Sequence, residues 1–261
     1  MLLAIDSGNT NVVFAIFDEN GALCEEWRAS TPRYQTSDEY GVWLLQLMAF
    51  KKFSTKDISD IIIATVVPSA LYDLKTLCRK YFGIEPIVVG EKGVDLGISI
   101  KVDLPEEVGA DRLVNAKAAD KKYKGPLIVI DFGTATTFDI IEEDGSYCGG
   151  AIAPGINLSI EALHKAAAKL PRVPVKRPQK VIGSNTIDAM LSGIFWGYVS
   201  LIEGMIVRIK AEYGAAKMQT VATGGLAPLF SAHSSFIEVV DETLTLQGLY
   251  YIYEDNKGKF K

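Results

Sequence analysis

Histidine and cysteine are scarce in this chain: two of the former (His164, His233) and three of the latter (Cys24, Cys78, Cys148) among 261 residues. The cysteines are odd in number, far apart and free of any Cys-x-x-Cys spacing. That argues against a disulfide framework or a zinc site and fits a reducing cytoplasm. With so few histidines, the common nucleophile-plus-histidine hydrolase designs have little to draw on, and both read as surface or packing residues. Runs of one charge are also missing. The 27 basic and 32 acidic side chains give a net charge of −5, and without a basic patch neither nucleic acid nor an anionic membrane is the expected partner. The near-apolar stretch Ile61 to Val67 is far short of the roughly 18 residues of a spanning helix. The start, MLLAIDSGNT, has an acidic residue at position 6 and no basic segment before it, unlike a signal peptide. A soluble, cytoplasmic protein is therefore expected. The Gly-Lys-Ser/Thr signature of the P-loop is absent as well, which excludes a Walker-type nucleotide fold.

What is present begins with a hydrophobic content of 48%, enough for one large domain or two of about 130 residues each. An internal repeat favours two. Leu2 to Glu19 (LLAIDSGNTNVVFAIFDE) lies without gaps on Leu127 to Asp144 (LIVIDFGTATTFDIIEED), 125 residues further on, with Asp6 on Asp131 and Gly8 on Gly133. Each copy is an apolar strand, Asp-x-Gly, a short polar turn and a second strand, and each ends in Asn-Gly or Asp-Gly, which favours a hairpin into a third strand. Helices and strands alternate after each meander. In the first half Thr36 and Glu39 form a capping box for a helix to about Phe53. A buried strand follows over Asp60 to Val67, then a helix over Ser69 to Phe82 stopped by Gly83 and a strand over Glu85 to Val89. In the second half helices are expected near Leu158 to Leu170, from Thr186 to Tyr213 and near Leu244 to Tyr253, with a strand over Met218 to Thr223. The fold class is α/β, in two lobes spanning residues 1–121 and 122–261, each with a mixed sheet opening on a three-stranded antiparallel meander.

These hairpins suit phosphate. In Asp6-Ser7-Gly8-Asn9-Thr10-Asn11 the glycine removes the side chain that would keep a polyphosphate from the backbone, and Asn9, Thr10 and Asn11 add neutral donors. Phosphate would repel the Asp6 carboxylate directly, so its plausible task is to hold the water shell of Mg²⁺. The same logic applies to Thr134 in Asp131-Phe132-Gly133-Thr134. A third element is Thr223-Gly224-Gly225, directly after a strand, where glycines would let the chain approach a flat adenosine.

Gly109-Ala110-Asp111-Arg112, at the start of a helix running to about Tyr123, makes the pattern specific. Together with DSGNTNVV (6–13), DFGTATTFD (131–139), GGAIAPG (149–155) and TGG (223–225), it resembles the type III pantothenate kinases over nearly the whole chain. Through them it resembles the superfamily of acetate and sugar kinases, heat-shock ATPases and actin, with its paired ribonuclease H-like lobes. The resemblance implies ATP-dependent phosphorylation of pantothenate to 4'-phosphopantothenate, the first step towards coenzyme A. It implies that Asp111 accepts the proton of the pantothenate hydroxyl and that Gly109, Ala110, Arg112 and Thr186 contact the substrate, Thr186 across a homodimer interface. ATP would be bound by Asp6, Ser7, Gly8, Asn9, Thr10, Asn11, Val12, Val13, Thr134, Gly224 and Gly225. Asp131 would hold K⁺ or NH₄⁺. Many family members carry a tyrosine followed by Asp-Asn-Pro ahead of Gly-Ala-Asp-Arg. This chain has Val102-Asp103-Leu104-Pro105, so an aromatic contact is missing or supplied from elsewhere. Two other readings use the same scaffold: an ATP-dependent conformational protein with slow hydrolysis, and a non-catalytic accessory factor in gene expression.

Overall fold

The computed structural model describes residues 1–31, 35–167, 170–214 and 217–259. Residues 168–169 of the expected Leu158 to Leu170 helix, and the last two residues of the expected second lobe, lie outside that range. The chain forms two compact units: residues 1–122 together with 243–261, and residues 123–242.

In the first unit β1 (Leu2–Ser7), β2 (Asn11–Phe17) and β3 (Leu23–Ser30) form the expected meander. They are followed by α1 (Ser37–Phe50), β4 (Asp60–Thr65), α2 (Pro68–Leu77), β5 (Ile87–Val88) and α3 (Ala110–Tyr123). Thr36 and Glu39 close the capping box at the start of α1. The stretch predicted as helix to Phe82 becomes a π-turn after Leu77 and stops at Gly83, whose φ of 69° is left-handed, a conformation glycine adopts without steric cost. The strand order is β3-β2-β1-β4-β5, antiparallel through β1–β2–β3 and parallel at β1–β4 and β4–β5. Because successive strand residues face opposite sides, Leu3 and Ile5 of β1 pack with Tyr40, Leu44 and Leu74 of α1 and α2. Leu2 and Ala4 pack with Val114 of α3 on the other face. Both faces are covered, and β1 is buried except at Asp6.

The second unit repeats the plan. β6 (Leu127–Phe132), β7 (Ala135–Ile141) and β8 (Tyr147–Pro154) are followed by α4 (Ile156–Ala166), α5 (Thr186–Tyr213), β9 (Gln219–Thr223), α6 (Ala227–Ser231) and β10 (Val239–Val240). The order β10-β9-β6-β7-β8 is the first sheet's order read in reverse. Ile128, Ile130 and Phe138 pack against Phe195, Tyr198 and Ile202 of α5.

Three expectations need correction. The repeat is not gapless. β1 and β2 pair up to Ser7 with Val12, enclosing four residues, whereas β6 and β7 pair up to Phe132 with Thr136, enclosing three. Beyond the turn, Val12 and Phe14 therefore correspond to Thr136 and Phe138. Secondly, residues 243–259, expected in the second lobe, belong to the first unit. There α7 (Leu244–Asn256) buries Leu246, Leu249, Ile252 and Tyr253 against Leu2, Val13 and Val114. Thirdly, the 28-residue α5 is long and apolar enough to cross a membrane by length and composition, with a mean hydropathy of 1.5 in its best window. Its apolar residues are interrupted by Asp188, Ser192, Ser200 and Glu203, so no unbroken run marks it. Its apolar stripe of Phe195, Tyr198, Val199, Ile202 and Ile206 is buried in the second unit's core, while 39% of that window as a whole is buried.

Candidate functional site

Each unit carries its own set of candidate residues; Asp6 to Gly8 in the first, and Asp131 to Gly133 with Gly224 in the second, stand at the carboxyl ends of mutually parallel strands, where open α/β sheets gather ligand-binding loops. In the first unit the turn from Gly8 to Asn11 is closed by the Gly8 N–H donating to Asn11 O at 2.9 Å. Asn9 and Thr10 are exposed and Asp6 partly so. Thr31, just past β3, straps the turn from outside: its N–H donates to Thr10 O at 2.8 Å and its Oγ1 to Gly8 O at 2.8 Å. Of the remaining predicted ATP contacts, Val12 and Val13 send their side chains into the two cores of this unit. They build the turn and present no side chain to a ligand. Ser7 is buried, with no hydrogen-bond partner for its Oγ, and its carbonyl accepts from the Val66 N–H at 3.2 Å.

Val66 links this turn to the Gly-Ala-Asp-Arg element. A β-carbon on Gly109 would stand 3.5 Å from Val66 Cγ1 and 2.6 Å from Asp111 Oδ1. The structure thus brings Ser7, Val66, Gly109 and Asp111 together at one end of β1 and β4, and the Asp111 carboxylate folds back over the bare glycine. Asp111 Oδ1 accepts the Arg112 N–H at 2.8 Å. Two effects oppose each other here. Burial pushes the Asp111 carboxyl above the usual aspartate range, while the Arg112 backbone N–H and guanidinium charge pull it down; burial wins. A carboxylate in the first turn of a helix is ordinarily stabilised. A raised value there marks a desolvated group, a better proton acceptor than a surface aspartate.

In the second unit Gly133 N–H donates to Ala135 O at 3.0 Å, and the residue after β8, Gly155, donates its N–H to Thr134 O at 3.1 Å. The strap is the counterpart of Thr31 over Thr10. Here it crosses so closely that a β-carbon on Gly155 would lie 2.2 Å from Thr134 O. Gly155 ends the GGAIAPG motif, which by itself implies no place for it in the site. Aligning the repeat with one residue fewer in the second turn sets it against Thr31 and would have found both straps. Gly224, with φ of +88°, lies directly on the Asp-x-Gly turn, a β-carbon there falling 2.7 Å from Phe132 O and 2.8 Å from Asp131 Oδ1. So Asp131, Phe132 and Gly224 converge. Gly225 would meet nothing within 4 Å, so the fold does not require a glycine there. Among the described residues no group of three or more His, Cys, Asp or Glu side chains is placed to hold a metal ion.

Thr186 is the exposed first residue of α5. The cap is Asn185, whose side chain accepts the Asp188 N–H at 3.0 Å, which leaves Thr186 free of that duty. Thr186 edges a groove of ≈ 740 Å³ between α4 and α5, where Leu163, Met190, Ile194 and Leu201 form an apolar lining. On α5, Phe195 and Tyr198 are buried in the core, Tyr198 also reaching the groove, while Ile194 and Leu201 line it. Both histidines fit the surface or packing roles expected: His164 is exposed, its Nδ1 2.8 Å from Leu170 O, and the His233 ring is edge-on to Phe195.

The sequence profile described as type III pantothenate kinase matches residues 2–208. The chain belongs to the type III pantothenate kinase family. A type III pantothenate kinase of Paramagnetospirillum magneticum is 64% identical over 256 residues, 98% of each chain. One of Rhodospirillum rubrum is 60% identical over 257 residues, 98% of this chain and 99% of its own. Among solved structures, the activator of 2-hydroxyisocaproyl-CoA dehydratase from Clostridium difficile superposes with a TM-score of 0.59 at 10% identity, covering 99% of this chain and 96% of its own. That likeness shows a shared fold and no more. The pantothenate kinase profile stops short of β9 and α7, while the two relatives align through them.

Proposed function

We propose that this chain transfers the γ-phosphoryl group of ATP to the terminal hydroxyl of pantothenate, giving 4'-phosphopantothenate and ADP, the first step towards coenzyme A. The observation that carries this reading, beside the family, is the desolvated Asp111 carboxylate held over Gly109 next to the phosphate-type turn of β1 and β2. Phosphoryl transfer is chiefly positioning and charge stabilisation, with a base to receive the acceptor's proton. As the hydroxyl oxygen bonds to the γ-phosphorus, Asp111 takes its proton and the bond from phosphorus to the bridging β–γ oxygen breaks, ADP leaving with that electron pair. Arg112 offers a guanidinium suited to paired hydrogen bonds with the substrate, and Thr186 a hydroxyl. The Gly8–Asn11 turn, exposed at Asn9 and Thr10, and the exposed Gly133–Thr134 turn supply amides and neutral donors for the triphosphate, with Gly224 and Gly225 near the adenosine.

The residues present suit the cations that the family implies. Asp131 Oδ1 and the Phe132 carbonyl oxygen lie close to one another beside Gly224, two hard oxygen donors of the kind that K⁺ or NH₄⁺ takes. Asp6 is the one residue of β1 that is not buried. One carboxylate at a strand end fits Mg²⁺ that keeps most of its waters. When bound, these ions neutralise charge on the phosphates. The apolar groove beside Thr186, with Val181, Ile182 and Ile187 exposed nearby, supports a homodimer through this face, and the enzyme is proposed to work in the cytoplasm.

The test is Asp111→Asn. Turnover is expected to fall by about 100- to 10,000-fold, the usual contribution of a positioned base, with ATP affinity unchanged. Turnover within a few-fold of wild type would remove Asp111 from this role.

A further inference from the structure

The catalytic helix and the C-terminal helix are joined more closely than core packing requires. Gly248, in the middle of α7, touches the backbone of α3: a β-carbon there would be 2.1 Å from Val114 O and 2.7 Å from Val114 Cγ1. Polar ties stand on either side of this contact. Thr245 Oγ1 donates to Asn115 Oδ1 at 2.7 Å, and Asn115 is 1% exposed. Asn115 is four residues, one helical turn, beyond Asp111, so the two share a helix face. At the other end Lys117, also 1% exposed, donates to Asp255 and, at 3.1 Å, to Gly97 O. Asn256, fully buried, exchanges hydrogen bonds with the Asp95 backbone, giving at 2.6 Å and receiving at 2.8 Å. Tyr253 OH anchors α7 to Asp60 Oδ2 at 3.0 Å. Contacts on both sides of a backbone-to-backbone approach fix the rotation and the axial position of α3, where hydrophobic packing alone would leave it free to slide.

We propose that α7 is the positioning element for the base: Thr245, Gly248 and Asp255 hold α3 at the rotation and height that put Asp111 over Gly109. This rests on Asp111 being the base. None of the three touches substrate; they act through α3. A displacement of about 1 Å in a reacting group can cost on the order of 100-fold in rate, so small shifts of α3 register in kcat.

The experiment uses the full-length enzyme. Thr245→Val removes the tie to Asn115 with little change of volume, Thr245→Ser retains the hydroxyl, and Gly248→Ala forces the helices apart. For Thr245→Val and Gly248→Ala the expected result is a fall in kcat of about 10- to 100-fold, an unchanged KM for ATP and a displaced acid limb in the pH profile, with Thr245→Ser close to wild type. Should either variant fail to fold, Asp255→Asn, at the rim of the contact, is expected to show the same split of kcat from KM. Wild-type kcat and acid limb in folded variants would overturn the proposal, as would an equal loss in Thr245→Ser. Asp111→Asn run alongside separates the two readings. If it is active, the base assignment fails; if it is inactive while the α7 variants behave as wild type, only the positioning role falls.

Discussion

The two glycine turns are built alike and secured differently. Both follow a strand buried everywhere except at its penultimate aspartate, and both are strapped by an N–H from the residue after the third strand. In the first unit the strap is Thr31, which adds a side-chain hydrogen bond to Gly8 O. In the second it is Gly155, pressed so close that no side chain fits. The glycines therefore divide into two kinds. A β-carbon on Gly8 or Gly133 would make ordinary contacts at 3.5 and 3.4 Å, whereas on Gly155 or Gly224 it would strike backbone oxygens at 2.2 and 2.7 Å. The first pair is open for something other than the fold. The second pair is required by it.

The largest effect should come from that second pair. Gly155→Ala and Gly224→Ala are expected to destabilise the protein by about 1–3 kcal/mol or more and to abolish turnover. Gly8→Ala and Gly133→Ala should melt within a degree or two of wild type yet raise KM for ATP several-fold. Equal loss of stability in all four, read by thermal melting, would erase the distinction. Next in size is the cation. Replacing K⁺ by Na⁺ should lower activity sharply, and Asp131→Asn should remove the difference between the two ions; equal rates in K⁺ and Na⁺ would refute the role given to Asp131. Smaller is the pH effect at Asp111. Its carboxyl lies above the ordinary aspartate range and must be ionised to accept a proton, so turnover should fall on acidification at a pH above the roughly 3.9 of a free aspartate. Linkage has the opposite sign. A raised native value means that the fold is favoured by the protonated group and loses stability as pH rises through that value, so Asp111→Asn should raise Tm at neutral pH while removing activity.

Much of this was legible in the sequence, because it is carried by local signals. Thr36 with Glu39 predicted the α1 start, Thr186 to Tyr213 matched α5 at both ends, and the duplicated Asp-x-Gly pointed to two units that each open on a three-stranded antiparallel meander. What was missed depends on long-range contact. A one-residue difference between the turns is invisible to gapless comparison, since Asp and Gly precede it. No residue in Leu244 to Asn256 announces that its apolar face belongs with β1 and α3, 130 residues or more upstream. Val12 and Val13 look like part of the turn until the register shows that their side chains face the cores. Asp111 was found by its motif, but the upward shift of its carboxyl pKa follows from burial, which no motif records.

The most direct measurement is ADP release by the purified enzyme with ATP, Mg²⁺ and K⁺, with and without pantothenate. ADP release that depends on pantothenate, with one phosphorylated product formed per ADP, is the predicted result. Hydrolysis of ATP at the same rate without pantothenate would contradict the account and favour an ATP-driven conformational protein on the same scaffold.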